Sequence, residues 1–196
     1  MPKRVDHALR RRQITGAVCR ITVKGGLGAA TFREVAAEAG VSVRLVQYYF
    51  GTKDELLLST HRHVAERATA RVVDRVAATD GTPREVLLAL LSSFVPTDAE
   101  SRETMLVFVA LQTAWLVDPT LARAEARAVP RSFVATIAGH LRRADLAPGV
   151  DAGLEAAILA GLVPSLAQSV LEGLTTAGEA LAVIGYAVDR ALGARP

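Results

Sequence analysis

Only one cysteine, Cys19, occurs in 196 residues. An internal disulfide is thereby excluded, no thiolate cluster can hold zinc, and the reducing cytoplasm is the natural setting. Cys19 itself reads as a small buried filler. Aromatic residues make up 5% of the chain, with a single Trp, against 51% apolar residues overall. The core must therefore come mainly from Leu, Val and Ala, which suits helix-on-helix packing, whereas a sheet would call for more Tyr, Phe, Ile and Thr. The expected class is all-α.

Other absences narrow the function. Met1 to Arg12 is basic and polar, with no following apolar stretch of signal-peptide length. The longest weakly charged stretch, Ala156 to Leu171, includes Pro164, Ser165, Gln168 and Ser169, short of the roughly 20 apolar residues a membrane span needs. A soluble protein with no membrane partner is expected. The Gly25-Gly26-Leu27-Gly28 cluster lacks the Lys-Ser or Lys-Thr and the preceding strand of a phosphate loop. His61 and His63 are two apart on a helix and point to different sides, while His7 and His140 are isolated. No catalytic residue, metal or cofactor is expected, and an enzyme is the remotest reading.

Charge of one sign is what the front of the chain does have. Residues 1–60 carry ten basic side chains against five acidic ones, and residues 61–196 carry thirteen against fifteen. Only the front end suits a polyanion. Lys3, Arg4, Arg10, Arg11 and Arg12 form either an arm that adds salt-dependent affinity for phosphates or a solubilising tail.

Helix starts are written as Thr followed three residues later by Glu, the reciprocal box in which each side chain satisfies a backbone N–H. It occurs at Thr31/Glu34, Thr52/Glu55, Thr82/Glu85 and Thr176/Glu179, with Pro83 at the first helical position of the third. Helices are predicted over Val5 to Lys24, Thr31 to Ala39, Val43 to Phe50, Lys53 to Ala78, Pro83 to Val95, Ala99 to Val117, Pro119 to Ala144, Asp151 to Leu171 and Ala177 to Leu192. Asp118-Pro119, Pro148-Gly149 and Thr175-Thr176 separate the later ones, and Pro130 and Pro164 should kink or break two of them.

The segment from Thr31 to Phe50 has the anatomy of a helix-turn-helix. Phe32, Val35, Ala36 and Ala39 form an i, i+3, i+4, i+7 stripe, Gly40 permits the sharp turn, and Val46 and Phe50 sit four apart. Arg44, Gln47 and Tyr48 project elsewhere, residue types suited to base edges and phosphates. A plain helical hairpin is the bland alternative. Against it stand the exposed Tyr48 and Tyr49, costly without a partner, and the basic excess in the same third of the chain.

VAAEAGVS (residues 35–42) followed by YFGTKDELL (residues 49–57) resembles the signature of TetR-family regulators, which reads IAxxAGVS and then YxYFxxKxxL. The stretch Glu103 to Pro119, with Trp115 before Asp118-Pro119, is similar to the C-terminal domain of the BetI-like subset. The resemblance implies that Thr31, Tyr49 and Lys53 contact phosphate and that Ser42, Val43, Arg44, Gln47 and Tyr48 face the groove. Gln47 stands where many members have Tyr, and Leu45 where Thr or Ala is common, so no base preference transfers. Arg pairs bidentately with guanine and Gln with adenine, which makes Arg44 and Gln47 the expected base readers.

Helix 99–117 is apolar nearly all round after Thr104, as expected of a helix in the middle of a bundle. Met105, Phe108, Gln112 and Trp115 fall on roughly one face, either plain core or the wall of a ligand pocket oriented by Gln112. Phe94, Phe133 and Gln168 are further lining candidates. An uncharged or cationic ligand fits them better than a polyanion. Leu181, Ile184, Val188 and Leu192 recur as a stripe that either pairs two subunits or closes the monomer's own core. The resemblance implies a four-helix dimer interface and recognition of a palindrome.

The expected plan is a helix-turn-helix DNA-binding domain over 1–52, a linker helix over 53–80, and a ligand-binding and dimerisation domain over 81–196. The expected function is a cytoplasmic homodimeric repressor, released from double-stranded DNA by a small, mainly apolar effector. An effector-independent DNA-binding dimer is the rival reading.

Overall fold

A computed structural model describes residues 2–117, 124–144, 146 and 149–193, with side chains from residue 7 onward except those of 124–130. Every regular element among them is a helix: α1 (Pro2–Gly25), a short 3-10 turn (Leu27–Ala29), α2 (Phe32–Ala39), α3 (Val43–Phe50), α4 (Lys53–Ala77), α5 (Pro83–Ser92), α6 (Ala99–Val117), α7 (Ala124–Leu141), α8 (Ala152–Glu172) and α9 (Ala177–Ala191). The predicted helices are all present, with ends shifted by a few residues. The predicted start at Pro119, the Asp118-Pro119 separator and Pro148 lie outside the described residues.

Local chemistry explains the starts. Thr31, Thr52, Thr82 and Thr176 each accept a hydrogen bond from the amide three residues on, at 3.2 to 3.3 Å. The reciprocal half closes at Thr176, whose amide donates to Glu179 Oε2 at 2.8 Å. Glu85 accepts instead from the Asp80 amide at 3.1 Å, tying down the preceding turn. Of the expected kink or break at Pro164 and Pro130, neither residue breaks its helix. In α8 the buried row Ala156, Leu159, Val163 and Ala167 holds the helix on both sides of Pro164, which offsets the one lost backbone bond. At 21 residues α8 is long and apolar enough to cross a membrane by length and composition, more than its sequence suggested. Its buried row belongs to a helical core.

The chain forms two compact units, Met1–Arg67 with Glu103–Ala126, and Ala68–Arg102 with Arg127–Pro196. The expected boundaries at 52/53 and 80/81 do not coincide with the limits of these units. The core of the first unit joins Ile14 and Val18 of α1, Val35 and Ala36 of α2, and Val46 and Phe50 of α3 to Leu56, Leu57 and Val64 of α4 and Val107, Leu111 and Trp115 of α6. The front half of the supposed linker and most of α6 are thus structural parts of the head. Cys19 is buried here as a filler, and burial pushes its thiol up to about 12, far from thiolate chemistry.

The second unit packs Leu87, Leu90 and Leu91 of α5, Ile137 and Leu141 of α7, Leu159 and Val163 of α8, and Ile184 and Val188 of α9. Arg84 forks onto Asp189 at 2.5 and 2.9 Å, joining α5 to α9, and Arg190 reaches Glu155 of α8 at 3.1 Å.

His61 of α4 is buried in the first unit against Phe108 and Trp115, with ring centroids 5.0 and 4.8 Å away. Burial, then the neighbouring Arg62 charge, holds its imidazole below the ordinary 6.5; burial does the same to His63. Because the folded values are depressed, the unfolded chain takes up these protons first, so stability falls as pH drops below 6.5 and is regained above it. Thermal midpoints measured from about pH 7.5 down to about pH 5.5 should therefore decline. His61→Phe, which keeps the ring contacts, should reduce the slope; an unchanged slope would deny His61 this role.

Candidate nucleic-acid interface

Gly40 ends α2 in the left-handed conformation, with φ of 64°, and the Gly40 and Val41 amides donate to Ala37 and Ala36 carbonyls at 3.1 and 2.9 Å. That paired closure turns the chain sharply and sets Val41 against the core. Ser42 then caps α3, accepting from the Leu45 amide at 3.1 Å. Val46 and Phe50 are buried, so the opposite side of α3 is fixed outward: Val43, Arg44, Gln47 and Tyr48 are all exposed, Tyr48 by 74%. Thr31 and Lys53 are exposed at the first turns of α2 and α4. Tyr49, expected to be exposed beside Tyr48, is corrected to half-buried. Its ring packs on the core and on His7 of α1, 4.4 Å between centroids.

Three polar side chains of α1 hold this motif in place. Gln13 Nε2 donates to the Ala39 carbonyl at 2.7 Å, and Arg20 Nε donates to Glu38 at 2.6 Å, which holds the Glu38 carboxyl below its ordinary range. Arg11 donates from Nη1 to the Tyr49 carbonyl at 2.7 Å and from Nη2 to Ser59 Oγ at 2.8 Å, with its guanidinium 4.6 Å from the Phe50 ring centre. It fastens the end of α3 to both α1 and α4. The sequence reading grouped Arg11 with an arm or tail, but residues 7–12 are helical, and Arg10 is bonded to Gln13. The side chains of Lys3 and Arg4 lie outside the described ones. Spacing places Arg11 three and seven residues before the buried Ile14 and Val18, at the edge of the core face, but does not disclose its partners.

Arg11→Ala removes two charge-assisted hydrogen bonds and a ring contact, and should destabilise the protein by about 2 to 4 kcal/mol. Arg11→Lys should recover little, because an ammonium cannot fork between Tyr49 O and Ser59 Oγ. Urea unfolding of the three proteins measures both effects.

The expected ligand-lining residues fall in two units. Met105, Phe108, Gln112 and Trp115 belong to the first unit, and Phe94, Phe133 and Gln168 to the second, where the Phe94 and Phe133 rings meet edge-on at 4.9 Å. Gln112 is exposed, because the buried row of α6 runs through Thr104, Val107, Leu111 and Trp115, one position away. Gln168 is also exposed and donates to Glu172. Neither amide orients anything inside a core. Nor is α6 buried all round: Leu116 and Val117 are each more than four-fifths exposed. His61, which no periodicity picked out, is the polar group that does lie among the rings of Phe108 and Trp115.

Of the two readings of the α9 stripe, the single chain shows the burial that closing its own core requires. Ile184 and Val188 are buried in the unit's own core, with Leu181 and Leu192 packed against it. The exposed apolar side chains on these helices are Leu154 and Ile158 of α8 and Val183 and Tyr186 of α9, exposed by 41 to 69%.

Among the described residues, the helix-turn-helix sits on an otherwise helical chain. The family model for "Bacterial regulatory proteins, tetR family" matches residues 14–60, the stretch that holds the helix-turn-helix. The HTH-type transcriptional regulator PksA of Bacillus subtilis is 40% identical over 110 residues, 56% of this chain and 53% of that protein. The HTH-type transcriptional regulator BetI of Burkholderia mallei is 34% identical over 123 residues, 63% of each chain. The matches thus span about half to three-fifths of these relatives' lengths. The fold extends further: a regulator from Saccharomonospora viridis, solved in complex with choline, shares it with a TM-score of 0.78 over 93% of this chain and 95% of its own, at 22% identity.

Proposed function

We propose that this protein is a homodimeric, DNA-binding transcriptional repressor of the cytoplasm, released from a palindromic operator by a small-molecule effector. The observation that carries the reading is the outward face of α3. Val43, Arg44, Gln47 and Tyr48 project together from a short helix whose other side is anchored by Val46 and Phe50. A helix so held enters the major groove as a rigid reader, with Arg44 set for guanine and Gln47 for adenine. Thr31, Tyr49 and Lys53 then meet the backbone, where they position the head without reading sequence.

Pairing uses the exposed face of α8 and α9. Leu154 and Ile158 together with Val183 and Tyr186 give each subunit an apolar patch on two packed helices, and a two-fold axis would make it a four-helix contact. The effector binds against the rings on α4 and α6. Phe108 and Trp115 offer faces that attract an organic cation, and the choline complex of the Saccharomonospora viridis regulator supports that ligand class. Met105 is half-buried on the same helix and extends the apolar wall. Because α4 starts at the motif with Lys53 and passes this cluster at His61, a ligand there biases the helix that carries the head.

The test is fluorescence anisotropy with duplexes from the protein's own promoter region, with and without candidate organic cations. Specific binding that a cation weakens supports the reading. Specific binding that no ligand alters leaves an effector-independent dimer in its place.

A further inference from the structure

Val43 has a purely aliphatic side chain, yet it stands on the outward side of α3 with Arg44, Gln47 and Tyr48. It is 37% exposed, whereas Val46 and Phe50 of the same helix are buried. We propose that Val43 reads the C5-methyl group of a thymine, one in each half-site, beside the base pair that Gln47 reads. The inference rests on α3 entering the major groove and deepens that reading, because it names a base feature that no hydrogen bond can report.

Position is the first argument. Val43 is the first residue of α3, directly after the Ser42 cap, and the N-terminal residues of such a second helix lie nearest the base edges. Chemistry is the second. The major groove presents hydrogen-bond donors and acceptors and one apolar substituent, the thymine methyl. An aliphatic side chain matches only that group; against the polar edge of another base it strips water from atoms it cannot satisfy. Rigidity is the third. A valine in a helix keeps largely to one side-chain rotamer, so its exposed methyls hold a fixed direction and the contact demands little ordering.

Register makes the assignment specific. Val43 and Gln47 are four residues apart on one helix, which makes them neighbours on one face with Cβ atoms about 5 to 6 Å apart. Base pairs stack about 3.4 Å apart. The thymine therefore lies within about two base pairs of the position that Gln47 reads. Tyr48, exposed by 74%, is the other side chain of this face able to cover a methyl. It stands about 140° round the helix from Val43, so a contact made by Tyr48 would survive the loss of Val43.

The test uses the whole chain and a duplex that it selects from a random library. Each thymine is replaced in turn by uracil, which pairs identically but lacks the methyl, and affinity is read by competition anisotropy. At one thymine per half-site, within two base pairs of the position altered by Gln47→Ala, the replacement should weaken binding about fourfold. Replacement in both half-sites should weaken it about fifteenfold, one buried methyl being lost each time. In Val43→Ala, where alanine suits an exposed helical position, the same replacement should change nothing, and Val43→Ile should keep the sensitivity. A wild-type protein that binds the duplex specifically yet ignores uracil at every position would overturn the proposal and leave the regulatory reading intact. Sensitivity undiminished in Val43→Ala would overturn it too, because another side chain would then hold the methyl. If no duplex is bound specifically, the regulatory reading fails first and takes this one with it.

Discussion

Arg44→Ala lowers the affinity for the cognate operator about 5- to 150-fold per head, the range set by losing one bidentate guanine contact. Its side chain is exposed, on the side of α3 opposite Val46 and Phe50, so removing it costs the fold almost nothing. The loss should be confined to the specific complex: affinity for unrelated duplex, carried by phosphates, falls only slightly. Gln47→Ala behaves likewise but relaxes preference at a different base pair. Lys53→Ala instead weakens specific and non-specific duplexes alike and flattens the salt dependence, as a phosphate contact must. Competition anisotropy at two salt concentrations separates these patterns. Equal losses on all sequences for Arg44→Ala would remove it from the set of base readers.

The second large effect separates two faces of the same pair of helices. Ile158→Asp places a carboxylate on a side chain that is already half exposed in the single chain, so the fold survives. In the dimer that charge would be buried without a partner, and the subunits should separate. Operator affinity should then collapse, because one head alone holds half of a palindrome. Ile184→Asp acts differently. It removes a fully buried side chain worth about 2 to 5 kcal/mol and puts an unpaired charge in the core, which together exceed most of a domain's stability. Expected outcomes are a folded, helical monomer for Ile158→Asp and an unfolded or aggregated chain for Ile184→Asp, read by light scattering and circular dichroism. A folded monomer from Ile184→Asp would restore the original stripe as the pairing surface.

That reversal on α9 shows where sequence ceases to speak. The helix is apolar on two sides: Ala180, Ile184, Ala187 and Val188 face inward, while Val183 and Tyr186 face out. Periodicity selects the bulkiest aliphatic row, and in a chain this rich in alanine that row fills the monomer's own core. On α6 a shift of one position moved Gln112 from an imagined pocket to the surface. Helix starts were legible because capping is local: Thr31, Thr52, Thr82 and Thr176 find their partners three residues on. The helix-turn-helix was legible for the same reason, with turn glycine, cap and stripe inside twenty residues. Long-range ties had no such signature. Arg11 bonded to Tyr49, 38 residues away, and His61 against Trp115 emerge only when the helices are packed. The same holds for α6 sharing the head's core, since nothing in its composition says which neighbour buries Val107 and Leu111.

Selection of binding sites from a random duplex library most directly tests whether the outward face of α3 reads sequence. The wild-type protein should enrich an inverted repeat whose half-sites lie about one helical turn, or roughly 34 Å, apart or a multiple of it, and Gln47→Ala should change the preferred base at one position in each half. Enrichment of no motif, or of the same motif unaltered when Arg44 and Gln47 are both alanine, would contradict it.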